Sequence, residues 1–279
     1  MTTSPHDANP ASARTISLDL GPDATLRLDV HEPAAGDATG TVLLLHGGGG
    51  PRTVASFAAL LAERAGVRVL VPTHPGFAGT ARPERLDSAG ALAATYVEAL
   101  ARLGAEGVTV IGNSFGGWVA AEVALLGDPR VRAAVLVDAV GALVPGHPVA
   151  DLRGLAPTEI AALSWHDPSR APVPPAAAPG TAGTRSPADA PAGPSPDLRA
   201  LLAYTGPEMA DPTLLDRLAD VTIPVHVVWG ESDRVVDVDH GRALAAAIPG
   251  ATFTLVPRAG HLPQLEAPEA LLGALAAWL

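Results

Sequence analysis

The sequence predicts an α/β fold: eight strands in a mostly parallel sheet, with helices on both faces. Three observations carry that expectation. Segments 42–45, 67–71, 108–111, 135–137 and 225–229 are nearly unbroken apolar runs, as in strands whose two faces are both covered by helices. Between them lie Ala- and Leu-rich stretches with apolar residues at three- and four-residue spacing, the periodicity of a helix with one buried face. Strand and helix patterns alternate along most of the chain, which builds a parallel sheet through helical crossovers.

Taken in order, residues 1–13 are polar, with neither a basic start nor an apolar run, and are expected to form a disordered tail rather than a leader. Segments 15–20 and 25–31 alternate apolar and polar residues around Gly21-Pro22-Asp23, predicting an antiparallel hairpin that opens the sheet. Strand 42–45 leads to a helix over 54–65, and strand 67–71 to a helix over 89–103. Strand 108–111 runs into a helix over 117–126, and 135–137 follows. The sheet resumes at 225–229, with a helix over 241–248, a last strand at 252–256 after Pro249-Gly250, and a final helix over 268–279. The core is therefore expected over 14–140 and 211–279.

Segment 141–210 breaks the rhythm. Its centre, 171–196, is almost entirely Ala, Pro, Gly, Ser and Thr. Proline removes backbone donors and fixes φ, so an irregular path is expected there, with short helices over 157–165 and 198–204. An insertion at this point of a sheet is placed to act as a cap, or lid, over one sheet edge. A plain surface loop is the alternative for the Pro-rich centre.

Composition removes several chemistries. The 279 residues are 48% hydrophobic and 17% charged, enough for one large core. There is no Cys, and all 18 basic residues are Arg. Thiol nucleophiles, thiolate metal sites, lysine Schiff bases and the phosphate-binding lysine of a P-loop are thereby excluded. A net charge of −11 repels phosphate backbones and anionic membranes, so neither nucleic acid nor a membrane is an expected partner. No apolar run reaches the roughly 18 residues of a span. A cytoplasmic protein acting on a small molecule is the default, with no metal or other cofactor expected.

The sharpest motif is Gly112-Asn113-Ser114-Phe115-Gly116-Gly117, a G-x-S-x-G between a buried strand and a helix. A tight turn there strains the serine backbone by on the order of 1–3 kcal/mol. It leaves Ser114 Oγ projecting at the sheet edge beside free helix N–H groups. A hydroxyl needs a base to take its proton. Of the nine histidines, His261 in Ala259-Gly260-His261-Leu262-Pro263 sits just past the last strand, where such sheets bind ligands. His46 reads as a packing residue, His74 as a turn residue facing substrate, and His6, His31 and His240 as superficial. His147 and His166 lie in the insertion and His226 inside a strand.

An imidazole is held in one tautomer by a carboxylate. Asp233, in Gly230-Glu231-Ser232-Asp233, ends the strand 225–229, and Asp138 at the end of 135–137 is the alternative. Glu231 comes too early in the G-x-x-D spacing. The glycine run His46-Gly47-Gly48-Gly49-Gly50 follows strand 42–45 and offers uncrowded N–H groups for a developing oxyanion, with Gly48 and Phe115 as the donor pair. A dinucleotide cradle fails because the third glycine of G-x-G-x-x-G would fall on Arg52.

Together these residues resemble the α/β-hydrolase superfamily over nearly the whole chain outside the tail and insertion. The resemblance implies Ser114 as nucleophile, His261 as base, Asp233 as acid, Gly48 and Phe115 as the oxyanion hole, and 141–210 as the cap. Gly-Asn-Ser-Phe-Gly-Gly in particular is similar to the elbow of the meta-cleavage-product hydrolases, which cut carbon–carbon bonds. Leu262 departs from that subfamily, where a Trp often follows the histidine, and Arg153, Arg170, Arg185 and Arg199 are equal candidates for meeting a substrate carboxylate. Serine rather than Asp at the nucleophile argues against epoxide or halide chemistry.

The reading is a cofactor-free serine hydrolase of a small, largely apolar ester or lactone, losing activity in acid as its base takes a proton. Phe77, Trp165, Tyr204 and Leu262 are candidates to line the pocket, and Trp118 is expected in the core. Carbon–carbon hydrolysis and a non-catalytic, ligand-binding member of the fold are the alternatives. Oligomeric state is open.

Overall fold

The structure is a computed structural model, and it describes residues 13–21, 25–172 and 195–279. The expected tail up to residue 12, the turn residues Pro22 and Asp23, most of the Pro-rich centre and Arg185 lie outside the described residues.

Eight strands form one sheet in the order β1-β2-β4-β3-β5-β6-β9-β10. The strands are β1 (Arg14–Asp19), β2 (Thr25–His31), β3 (Thr41–Leu45), β4 (Arg68–Pro72), β5 (Val108–Asn113), β6 (Val131–Val137), β9 (Val225–Gly230) and β10 (Thr252–Val256). β1 and β2 pair antiparallel, β2 meets β4 antiparallel, and every later pairing is parallel.

The unbroken apolar runs have the two-sided burial they imply. Val42 and Leu44 face one core with Phe57 and Leu61 of α1 (Arg52–Ala65) and Leu271 and Leu275 of α9 (Pro268–Leu275). Leu43 and Leu45 face the other core with α2 (Ala89–Leu103), α3 (Phe115–Leu126) and Leu244 of α7 (Val238–Ala247). A strand alternates its side chains, so one run feeds both cores.

Several boundaries differ from expectation. β6 starts at Val131, not at 135, because exposed Arg132 interrupts the apolar run without interrupting the strand. α7 starts earlier than 241, capped by the Asp237 side chain, which accepts from His240 N. The final helix stops at Leu275, and a short helix α8 (Pro263–Glu266) precedes it. The insertion carries α4 (Pro157–Ser164) and α5 (Pro196–Thr205). Its two ends are joined by a ladder invisible to sequence patterning: β7 (Gly141–Ala142) pairs parallel with β8 (Ala210–Asp211). Next to it Arg217, in the one-turn helix α6 (Leu214–Arg217), reaches Asp211 at 2.6 Å and buried Glu122 of α3 at 2.7 Å.

His31 and His240, read as superficial, are buried at 4% and 0% exposure. His240 lies on the first turn of α7, stacked near Trp229, and its Nδ1 donates to His147 O at 3.0 Å. Residue type alone does not separate a solvated histidine from a buried one, whose flat ring packs well inside. Among the described residues, no helix is long and apolar enough to cross a membrane.

Candidate active site

β5 is buried along its whole length and ends at Asn113. Ser114 then takes φ 56°, ψ −118°, and α3 begins at Phe115. A left-handed φ on a residue with a Cβ is strained by about 1–3 kcal/mol and persists only where neighbours enforce it. Here they do. Ser114 N donates to Val137 O at 2.9 Å, and the Ser114 carbonyl accepts from Gly117 N at 2.9 Å and Trp118 N at 3.2 Å. Gly112 and Gly116 make the close turn possible: a Cβ on Gly112 would run into the Gly116 carbonyl and stand 2.7 Å from Gly117 N, and one on Gly116 would stand 2.7 Å from His46 O.

Three chain-distant side chains meet at this edge. Ser114 Oγ lies 2.8 Å from His261 Nε2, and His261 Nδ1 lies 2.8 Å from Asp233 Oδ2. A carboxylate accepts only, so Nδ1 carries the proton and Nε2 is free to accept from the serine hydroxyl. Asp233 Oδ1 is occupied by Val235 N at 2.8 Å and Val236 N at 3.1 Å. Glu231 points elsewhere, accepting from Arg258 N. Asp138, the alternative partner for the imidazole, spends its Oδ1 on Gly230 N at 2.7 Å.

The histidine loop is pinned by residues that no pattern announced. Asn113 Nδ2 donates to His261 O at 3.0 Å, and Gln264 Nε2 in turn donates to Asn113 Oδ1 at 3.1 Å. His261 N donates to Ser164 O at 2.8 Å. Buried Glu266 accepts three backbone N–H groups: Gly260 at 2.8 Å, His166 at 2.9 Å and Asp167 at 2.8 Å. One carboxylate thus ties the histidine loop to the end of α4.

The glycine run turns through Gly50 N to Gly47 O at 3.1 Å, leaving Gly48 and Gly49 as the central residues. It presses on the elbow, because a Cβ on Gly47 would stand 2.9 Å from Ser114 Cβ, and one on Gly48 would stand 2.9 Å from Leu201 Cδ2 of α5. Phe115 is the first residue of α3, so its N–H has no acceptor one turn back. Beneath the run, His46 Nε2 accepts from His74 N at 3.1 Å, and its Nδ1 donates to Gly47 O at 2.7 Å. His74 Nε2 donates to His46 O at 2.7 Å, and its Nδ1 accepts from the Tyr96 hydroxyl. Both rings are therefore single neutral tautomers. His74 does not face substrate as expected; it is fully buried.

Burial holds the His46 imidazole down, from an ordinary 6.5 to about 4, against a raising contribution from Gly47 O. The His74 imidazole is likewise held well below its ordinary value, by burial and then by His46. The folded chain thus refuses protons that the unfolded chain accepts. The stabilisation is complete above pH 6.5 and is lost as pH falls towards 4, a loss on the order of 3 kcal/mol from His46 alone. Calorimetry is expected to show a melting temperature that drops steeply between those limits. A flat one would contradict neutral burial.

The four candidate pocket residues separate. Phe77 is fully buried, edge-on to His46 and His74, and is core rather than lining. The Tyr204 ring lies 5.6 Å from that of Phe115, tilted by 32°, and its hydroxyl donates to Pro75 O at 3.0 Å. Trp165 is buried at the end of α4, next to Ser164, and Leu262 is half-buried beside His261. Trp118 is core, as expected, with Nε1 donating to Glu122. Of the arginines considered for a substrate carboxylate, Arg153 pairs with Asp151 and Arg170 Nη1 donates to Glu266 O. Among the described residues, no group of three or more His, Asp or Glu side chains is placed to hold a metal ion.

The family described as Alpha/beta hydrolase family matches residues 42–274. A 2-hydroxy-6-oxononadienedioate/2-hydroxy-6-oxononatrienedioate hydrolase of Cupriavidus pinatubonensis (strain JMP 134 / LMG 1197) is 43% identical over 54 residues, 19% of each chain. The chain thus spans about a fifth of the length of the curated relatives it matches. Two solved structures share the fold. Est816, titled an N-acyl homoserine lactone degrading enzyme, has a TM-score of 0.68 at 22% identity, covering 91% of this chain and 97% of that one. CarC, titled a serine hydrolase involved in carbazole degradation, has a TM-score of 0.68 at 20% identity, covering 96% and 98%. With the family matched from the third strand into the last helix, around a strand–serine–helix elbow, the chain belongs to the alpha/beta hydrolase family.

Proposed function

We propose that this hydrolase cleaves a small, largely apolar carboxylic ester or lactone through an acyl-enzyme, with Ser114, His261 and Asp233 as its triad. The observation that carries the reading is the continuous hydrogen-bonded chain from Ser114 Oγ through His261 to Asp233, both links 2.8 Å. Ser114 Oγ attacks the carbonyl carbon while its proton passes to His261 Nε2. Charge gathers on the carbonyl oxygen, which is met by the Phe115 and Gly48 N–H groups. The proton then moves from Nε2 to the departing alkoxide oxygen as the ester bond breaks. Water, giving a proton to Nε2, attacks the acyl carbon; the bond to Ser114 Oγ then breaks as Nε2 returns that proton to Oγ, releasing the carboxylic acid. Asp233 keeps the imidazole oriented and supports its transient positive charge.

Segment 141–210 acts as the cap over the core of 14–140 and 211–279, bringing Tyr204, Trp165 and Leu201 towards the site. A chain with this acidic, cysteine-free composition suits a cytoplasmic enzyme. The test is a panel of p-nitrophenyl esters and lactones of graded acyl length, combined with a fluorophosphonate probe. Turnover of short apolar substrates and labelling at Ser114 are expected. A native chain that neither turns over the panel nor takes the label would overturn the reading in favour of a non-catalytic, ligand-binding member of the fold. The short match to dienedioate hydrolases favours one second reading, carbon–carbon hydrolysis at the same serine, which a coloured dienoate substrate would detect.

A further inference from the structure

Two buried aspartates, Asp138 and Asp233, flank Gly230, and the proposed mechanism uses only the one bonded to His261. Asp138 is fully buried. It follows β6 with a positive φ of 46°, a strain on a residue with a Cβ that neighbours must hold in place. Its N–H donates to Val228 O at 3.0 Å, and its Oδ1 accepts the Gly230 N–H at 2.7 Å. Its Oδ2 is buried with no donor against it among the described residues. Asp233 N donates to the carbonyl of the same Gly230 at 3.2 Å, so the two aspartates flank one glycine.

Two ionised carboxylates cannot share a dry contact, so the pair holds one proton. The partners decide where it sits. Asp233 accepts three N–H groups, from His261, Val235 and Val236, which stabilise it as the anion. Asp138 accepts one, at Oδ1, leaving Oδ2 as the seat of a hydrogen. We propose that Asp138 is a positioning residue, a neutral carboxylic acid whose Oδ2–H donates to the Asp233 carboxylate and fixes it against His261. Burial and the neighbouring Asp233 charge, in that order, push the Asp138 carboxyl well above the usual carboxylate range, in agreement with the geometry. The other titratable groups facing Asp233 are His261 and, from α7, buried His240. No proton is gained or lost by Asp138 during turnover.

The kinetic part of the test rests on the proposed triad; the spectroscopic part does not. In the infrared difference spectrum of the full chain between wild type and Asp138→Asn at neutral pH, the carbonyl stretch of a protonated carboxylic acid is expected in the wild type alone. Only ionised-carboxylate bands would overturn the proposal whatever the substrate proves to be. With an ester substrate, Asp138→Asn is expected to retain most of the wild-type kcat, since its amide accepts from Gly230 N–H and donates to Asp233. Asp138→Gly, which suits the left-handed φ, is expected to lose about 10–100-fold in kcat with little change in KM. Asp138→Asn falling as far as Asp138→Gly, or Asp138→Gly matching wild type, would overturn it. If Asp138→Gly fails to fold, the infrared band and the Asn variant still decide.

Discussion

Ser114→Ala is expected to lower kcat/KM on esters by roughly 10⁴–10⁶-fold, the scale on which a triad loses its nucleophile. The remaining activity would come from carbonyl polarisation and binding alone, which a serine-free elbow still supplies. The substitution removes one oxygen from a half-buried position, and the elbow is held by backbone bonds to Val137, Gly117 and Trp118 that alanine keeps. The melting temperature is therefore expected near that of wild type, so the loss can be assigned to chemistry. A residual rate within tenfold of wild type (about 1.4 kcal/mol of barrier) would show that another group attacks.

Gly112→Ala is the second large effect, and it falls on the fold. The added methyl would meet the Gly116 carbonyl and Gly117 N, which are backbone atoms held in the first turn of α3 and unable to swing aside. A cost above about 3 kcal/mol is expected, beyond ordinary overpacking and large against the marginal stability of a domain. Gly273→Ala is the control: it lies in α9 with nothing near its Cβ position, and alanine is the better helix former by up to about 1 kcal/mol. Urea midpoints should move in opposite directions for the two variants. Equal shifts would mean that the elbow is looser than its geometry indicates.

The central sheet was legible because its strands are buried on both faces, so that 42–45, 108–111 and 225–229 stand out from their helical surroundings. The meeting of Ser114, Asp233 and His261 at one edge was legible too, since each follows a strand at the end where parallel sheets open. What escaped notice depends on contact rather than period. Glu266 sits in a four-residue helix and looks like any exposed glutamate until three N–H groups are found on it. The β7–β8 ladder has two residues a side, fewer than an alternation needs to show. His31 and His240 are buried where a surface position is expected, because residue type alone does not tell a solvated imidazole from a packed one, such as His240 against Trp229. Asp138 was visible at a strand end, but its company with Asp233 became visible only in three dimensions.

The carboxylate of Glu266 has a mechanical consequence. Swinging α4 outward would break two of its three N–H bonds and also pull Ser164 O from His261 N, dragging the imidazole out of register with the serine. Access that opened on that flank would disarm the enzyme as it admitted its guest. The doorway is therefore better sought at α5, whose hydrogen bonds to the core run from Tyr204 to Pro75 O and from Ala78 N to Asp197, two latches that can lift without breaking a bond to Ser114, His261 or Asp233.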